Sequence, residues 1–184
     1  RIFADPKVEP ATHTFSHPFF WEPEKASQRE GFTAEYGMNM AIPNYPAMNL
    51  EREIIGSRDY IQRELLPADK QVRLIFWSGE ALPSAEAIGM AYAAGMANVN
   101  GAETYITRAN PSLSGLYPLL RPTSGGLQIY APIINENLYT NLWTGPFYGF
   151  ERVLDTFELT DSPRRLRGLN LYYHFYSGTK QASI

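Results

Sequence analysis

Apolar and polar positions along the chain fall into alternating strand-like and helix-like stretches. After Asn49, the apolar residues Leu50, Ile54, Ile55, Ile61 and Leu65 lie at helical spacing and Pro67 closes the run. A helix is therefore expected to run to about Leu66 with Asn49 as its N-cap, and Glu51 and Glu53 on its solvated side. Val72 to Trp77 is rich in β-formers and runs into Ser78-Gly79, which reads as a strand followed by a turn. Ser84 to Ala94 reads as a second helix, with Pro83 before it and Gly95 as its C-terminal stop. It feeds a short strand, Met96 to Val99, that ends in Asn100-Gly101.

Further along, Leu127 to Tyr130 follows Gly125-Gly126 and is another expected strand. Arg108 to Ser124 holds many turn formers with little periodicity and is expected to be a long loop. Phe150 to Leu159 has a helical stripe of Val153, Leu154 and Phe157, ended by Ser162-Pro163, and Leu169 to Tyr176 is the strongest strand pattern of all. Near the start, Val8 to Thr12 is expected to be a short edge or terminal strand, because Pro6 and Pro10 limit its pairing. Strands alternating with helices argue for an α/β fold of parallel βαβ units, in which chemistry collects at the C-terminal ends of the strands. The residues just beyond those ends are His13 and His17, Ser78-Gly79-Glu80, Asn100 to Glu103, Tyr130 and His174.

Composition narrows the field. With 184 residues, 44% of them hydrophobic, one substantial core is expected, hence a single domain over 1–184. Sixteen Lys+Arg against nineteen Asp+Glu leave a net charge of -3, and the one basic cluster, Arg164-Arg165-Leu166-Arg167, reads as a solvated turn. A nucleic-acid surface is not expected. The longest apolar stretch, Ala87 to Ala97, is eleven residues and falls short of the roughly 20 that span a bilayer. With no cysteine, a thiol nucleophile, a disulfide framework and a Cys-based zinc site are excluded.

The three histidines are the sharpest chemical feature. His13 and His17 are four residues apart, a spacing that on a helical turn brings two imidazoles to one side, where one divalent metal could bridge them. The plain alternative is a pair of histidines hydrogen-bonded to the backbone. His174, in the aromatic run Leu171 to Tyr176, is either a satisfied core residue or one presented to a site at the strand's end.

His13-Thr14-Phe15-Ser16-His17-Pro18 resembles the H-[ST]-x-x-H element of the polysaccharide deacetylases, the NodB-like carbohydrate esterases, and Tyr172-Tyr173-His174 resembles their late strand with a catalytic histidine. Phe76-Trp77-Ser78-Gly79, Trp143 to Gly149 and Asn170 to Ser177 look more narrowly like the deacetylase domain of the Pel exopolysaccharide system. The resemblance implies a distorted (β/α)7 barrel that holds one divalent ion, usually zinc, by an Asp and two His. It implies metal-assisted N-deacetylation of an N-acetylhexosamine exopolysaccharide during biofilm matrix export, in the periplasm or another extracytoplasmic location. His13 and His17 would be metal ligands and His174 the general acid.

The family carries its metal-binding and catalytic Asp on the first barrel strand, and only Asp5 precedes His13 here. The chain begins at Arg1 and ends shortly after the His174 run, so it is expected to be truncated at both ends, with the first strand upstream. Trp77, Glu80, Asn100 and Glu103 at expected strand ends, and Trp143 and Tyr148 in a Gly/Pro-rich segment, are the candidate substrate-binding residues. Secretion-machinery components are possible partners. Two other classes remain: an inactive carbohydrate-binding module, and a barrel glycoside hydrolase using Glu80 and Glu103 as paired carboxylates.

Overall fold

The computed structural model describes residues 2–22, 42–101, 106, 108–109, 111–112, 119–131, 134–135, 153–166, 168–169 and 171–172. The chain forms two compact units, one of residues 1–100 and 121–129 and the other of residues 101–120 and 130–184.

In the first unit, the expected helix after Asn49 forms as three consecutive segments, Arg52–Gly56, Ser57–Tyr60 and Ile61–Leu65, together termed α1. The outer two have the wider i→i+5 bonding of a π-helix and the middle one is α-helical. Asn49 starts it as expected: its side-chain Oδ1 accepts the Arg52 N–H at 2.8 Å, occupying one of the donors that a helix start leaves unpaired. Leu66 turns to extended backbone ahead of Pro67.

Strand β1 (Leu74–Phe76) pairs in parallel with β2 (Ala97–Gly101), in the register Leu74 to Ala97 and Phe76 to Val99. Between them runs α2 (Ala85–Ala93), so the three elements make one βαβ unit. Ser84 caps α2 by accepting the Ala87 N–H at 3.1 Å. At the other end, Gly95 takes a φ of 72°, while its N–H and that of Met96 bond back to Tyr92 and Ala91, closing the helix as its sequence predicts.

The sheet continues through β4 (Gly126–Ala131) to β3 (Leu119–Thr123), in the order β1-β2-β4-β3. Only two residues, Ser124 and Gly125, link β3 to β4, and so short a link joins antiparallel strands. The stretch expected to be a long loop thus contributes a strand. Its pairing is polar: Arg121 Nε donates to Gln128 Oε1 at 2.7 Å and Thr123 Oγ1 to the Gly126 carbonyl at 2.8 Å. Gly125 must be glycine, because a Cβ there would run into the Ala85 carbonyl at the start of α2.

The first unit's core gathers Trp21, Ile54, Val72, Ile75, Trp77, Ile88, Ala91 and Met96, from α1, α2, β1 and the segment after the histidine loop. Trp77 is its keystone in polar terms as well. Its Nε1–H donates to Asn98 Oδ1 at 3.1 Å, and Asn98 Nδ2 donates on to the Leu127 carbonyl at 3.0 Å. A buried polar chain therefore crosses β1, β2 and β4 with each partner satisfied.

The second unit contains α3 (Val153–Leu159) and the parallel pair of β5 (Ile134–Asn135) and β6 (Leu171–Tyr172). The buried Thr156 hydroxyl donates to the Ile106 carbonyl at 2.7 Å, and Arg108 pairs with Asp155 and Glu158. Arg164 and Arg165 are exposed, and Arg165 pairs with Asp161 at 2.9 Å, in keeping with a solvated turn. Of the final strand expected over Leu169 to Tyr176, Leu171 and Tyr172 form β6 and Leu169 is not part of it; residues 173–176, His174 among them, lie outside the described residues.

Candidate metal centre

The histidine loop is built on β1. Thr12 forms a one-residue parallel bridge to Ile75, its N–H bonded to the Leu74 carbonyl at 3.0 Å and its carbonyl to the Phe76 N–H at 2.9 Å. Of the short strand expected over Val8 to Thr12, Thr12 alone pairs. Because the bridge is parallel, His13 emerges at the C-terminal end of β1, the end where α/β folds assemble their sites.

Residues 13–17 do not form the helical turn expected from their spacing. Thr14 and His17 both adopt left-handed backbone, at φ 73° and 54°. Such a conformation costs on the order of 1–3 kcal/mol per non-glycine residue and persists only where surroundings impose it. Here Thr14 N–H donates to Thr12 Oγ1 at 3.3 Å, and His17 N–H to Thr14 Oγ1 at 3.1 Å. The loop brings the imidazoles together anyway: their ring centroids are 4.8 Å apart, edge to face at 78°.

That separation suits a shared ion. Two imidazoles bound to one tetrahedral zinc through nitrogens about 2.0–2.1 Å away place their ring centres about 5 Å apart. His13 Nδ1 lies 2.7 Å from the Phe76 carbonyl oxygen. A carbonyl only accepts, so Nδ1 carries the proton, and in the neutral ring Nε2 carries the lone pair. A ring N–H given to a backbone carbonyl is the usual way a metal-ligating histidine is oriented. The pair thus fits two of the donors a metal would need, and no group of three His, Asp or Glu suited to a metal occurs among the described residues.

Glu53 is the residue that the helical pattern misplaced. Expected to face solvent, it is fully buried, whereas Glu51 is exposed as expected. Its Oε2 accepts the Phe15 and Ser16 N–H groups at 2.9 and 2.8 Å, and its Oε1 accepts from the Ser16 hydroxyl and from Tyr45 Oη at 2.7 Å. One turn on, the buried Ser57 hydroxyl meets Thr12 Oγ1 at 2.6 Å. The inner face of α1 is therefore partly polar because the loop supplies the partners. Leu65, counted on that face from the sequence, is 45% exposed.

Burial pushes the Tyr45 phenol up to about 12 from 10.0, with the hydrogen bond to and charge of Glu53 adding to it, against the Asn49 backbone and Arg52. The folded state holds this proton more tightly than the unfolded chain. The contribution is therefore intact below pH 10 and is lost as pH rises from 10 towards about 12. Phenolate absorbance is expected to include a late-titrating component in that window, and Tyr45→Phe should remove it.

The remaining candidates divide three ways. Trp77, expected at a saccharide groove, is 1% exposed and packs edge to face on Trp21 at 4.9 Å, so it belongs to the core and offers no face to a sugar. Glu80 is half-buried in the turn after β1, with its N–H on the Phe19 carbonyl at 2.9 Å and its Oε1 buried without a hydrogen-bond partner. Asn100 is half-buried near the end of β2. Glu103, Trp143, Tyr148 and His174 lie outside the described residues, and with Glu103 the carboxylate pair that a glycoside hydrolase would use.

Asp5 caps its own turn through the Lys7 N–H at 2.8 Å. Beside the loop, a cleft of about 640 Å³ is lined by Thr14, Phe15, Arg52, Tyr60, Ile61 and Arg63, among others. No helix among the described residues is long and apolar enough to cross a membrane. No protein-family model, no curated protein and no solved structure matches the chain significantly.

Proposed function

We propose that the chain is part of a metal-dependent polysaccharide deacetylase of the NodB-like type, removing N-acetyl groups from an N-acetylhexosamine exopolysaccharide such as Pel outside the cytoplasm. The observation that carries this reading is the meeting of His13 and His17 at the C-terminal end of β1, with His13 Nδ1 committed to the Phe76 carbonyl. His13 and His17 would hold zinc or another divalent ion, which would supply Lewis acidity to an acetamide carbonyl and lower the pKa of water towards about 7.

The chain's own part is to orient the two imidazoles and to seat the polymer. Phe15 and Tyr60 are among the residues lining the cleft beside the loop, and aromatic side chains suit sugar faces. His174, in the run that resembles the family's catalytic strand, is assigned the proton donated to the departing amine. A distorted (β/α)7 barrel belongs to the same reading.

Acetate release from a partially N-acetylated hexosamine polymer tests it. Release is expected to stop with a strong chelator and to return with added zinc. Polymer binding without any release would favour an inactive carbohydrate-binding module, and release indifferent to chelator would sink the metal-dependent reading.

A further inference from the structure

We infer that Glu53 is the positioning residue of the histidine loop: its carboxylate, reaching from α1, sets the backbone between His13 and His17 so that the two imidazoles meet. As a statement about metal affinity this rests on the reading just proposed, while as a statement about the loop it stands alone. Glu53 has 0% exposure, and burying a carboxylate is costly unless it is fully hydrogen-bonded. All four of its contacts are with donors from two segments. The Phe15 and Ser16 N–H groups and the Ser16 hydroxyl come from the loop, and Tyr45 Oη from the segment before α1. Tyr45 Oη already accepts the Asn49 N–H at 2.7 Å, which leaves its own proton for an acceptor.

Phe15 and Ser16 are the two residues enclosed by the left-handed Thr14 and His17. Without an anchor, the backbone would relieve both conformations by relaxing towards extended chain, in which the His13 and His17 Cα atoms stand about 13 Å apart. Two N–H groups gripped by one carboxylate oxygen prevent this. From outside, the Arg52 guanidinium lies 4.2 Å from the Phe15 ring centre and 5.2 Å from that of Tyr45, covering the same anchor. Neighbouring residues of one helix thus hold the loop from beneath and above.

The role depends on reach more than on charge, and two variants separate these. Glu53→Asp keeps the charge but draws the acceptor back by about 1.5 Å, whereas Glu53→Gln keeps the reach and one acceptor oxygen for the two N–H groups. Amide exchange on the metal-free protein is expected to show Phe15 and Ser16 losing at least roughly tenfold in protection in Glu53→Asp and staying near wild type in Glu53→Gln, with α2 amides unchanged in both. Zinc affinity by calorimetry should follow the same order, falling roughly 10–100-fold in Glu53→Asp, as when a partner that orients metal ligands is lost.

Unchanged Phe15 and Ser16 protection in Glu53→Asp, or loss in Glu53→Gln greater than in Glu53→Asp, overturns the inference. If the wild-type protein binds no zinc, the metal reading fails while the exchange measurement still decides what Glu53 does. Should Glu53→Asp expose the α2 amides as well, Tyr45→Phe, which removes the contact to Oε1 and the acceptor of the Asn49 N–H but keeps the ring against Phe15, is expected to raise Phe15 and Ser16 exchange by a smaller factor, and no change there also overturns it.

Discussion

Replacing Trp77 by Ala is expected to cost the first unit about 3–5 kcal/mol, the usual range for deleting a fully buried Trp or Phe. The side chain is 1% exposed, its ring stands edge to face on Trp21 at 4.9 Å, and its Nε1–H is the donor for Asn98, itself 1% exposed. Truncation therefore opens a cavity and strips the donor from a buried amide oxygen, two penalties that reinforce each other. Trp77→Phe refills most of the cavity but still leaves Asn98 short of a donor, so it should recover part of the loss and not all of it.

The protection of α2 amides against exchange, followed across urea concentrations, reads this unit directly. A loss under about 1 kcal/mol would be typical of a surface position, and would mean that Trp77 is not the core residue described here. Trp21 Nε1–H also donates to the Ser78 carbonyl at 3.1 Å, and Ser78 Oγ to the Pro18 carbonyl at 2.8 Å. The segment after His17 is thus tied to the same end of β1, and zinc binding should weaken along with stability. Gly79 shows how close that approach is: at φ 62°, a Cβ on it would collide with the Phe19 backbone.

The elements that the sequence made legible are those decided by neighbours along the chain. Asn49 and Ser84 each cap a helix through a donor three residues on, and Gly95 ends α2 by a backbone sign that glycine adopts without strain. The β1-α2-β2 unit followed from those signals, and with it the end of the sheet where the histidines gather. What escaped was decided at long range. Glu53 has the look of a solvated helix acid because its partners, Phe15 and Ser16, stand 38 and 37 positions away.

β3 escaped for a different reason, the lack of a pattern along its own residues. Leu119 and Leu120 are 59% and 56% exposed, so no apolar alternation marks it, and its pairing rests on Arg121 with Gln128 and Thr123 with Gly126. The histidine spacing pointed to two rings that do meet, through a helical geometry that they do not have. A loop with two left-handed residues achieves the same meeting of rings, and no local pattern announces it.

Replacing His13 by Ala is expected to weaken zinc binding by more than about 100-fold, since even the loss of a group that merely orients a ligand costs roughly 10–100-fold. On the proposed reading His17→Ala should do the same, because its ring centroid lies 4.8 Å from that of His13. The double variant carries the sharper test. If both imidazoles grip one ion, either single substitution already destroys the chelate, and the second adds little; residues coupled through a shared partner behave in this non-additive way. If instead each histidine is satisfied by the protein alone, zinc affinity should not change in any variant, and His13→Ala should register in stability, with about 0.5–1.5 kcal/mol from the hydrogen bond to the Phe76 carbonyl and a further part from its ring contacts with His17 and Phe76. The two outcomes separate a metal centre from a pair of structural histidines, and protected α2 amides in every variant ensure that it is the loop, not the fold, that the titration reads.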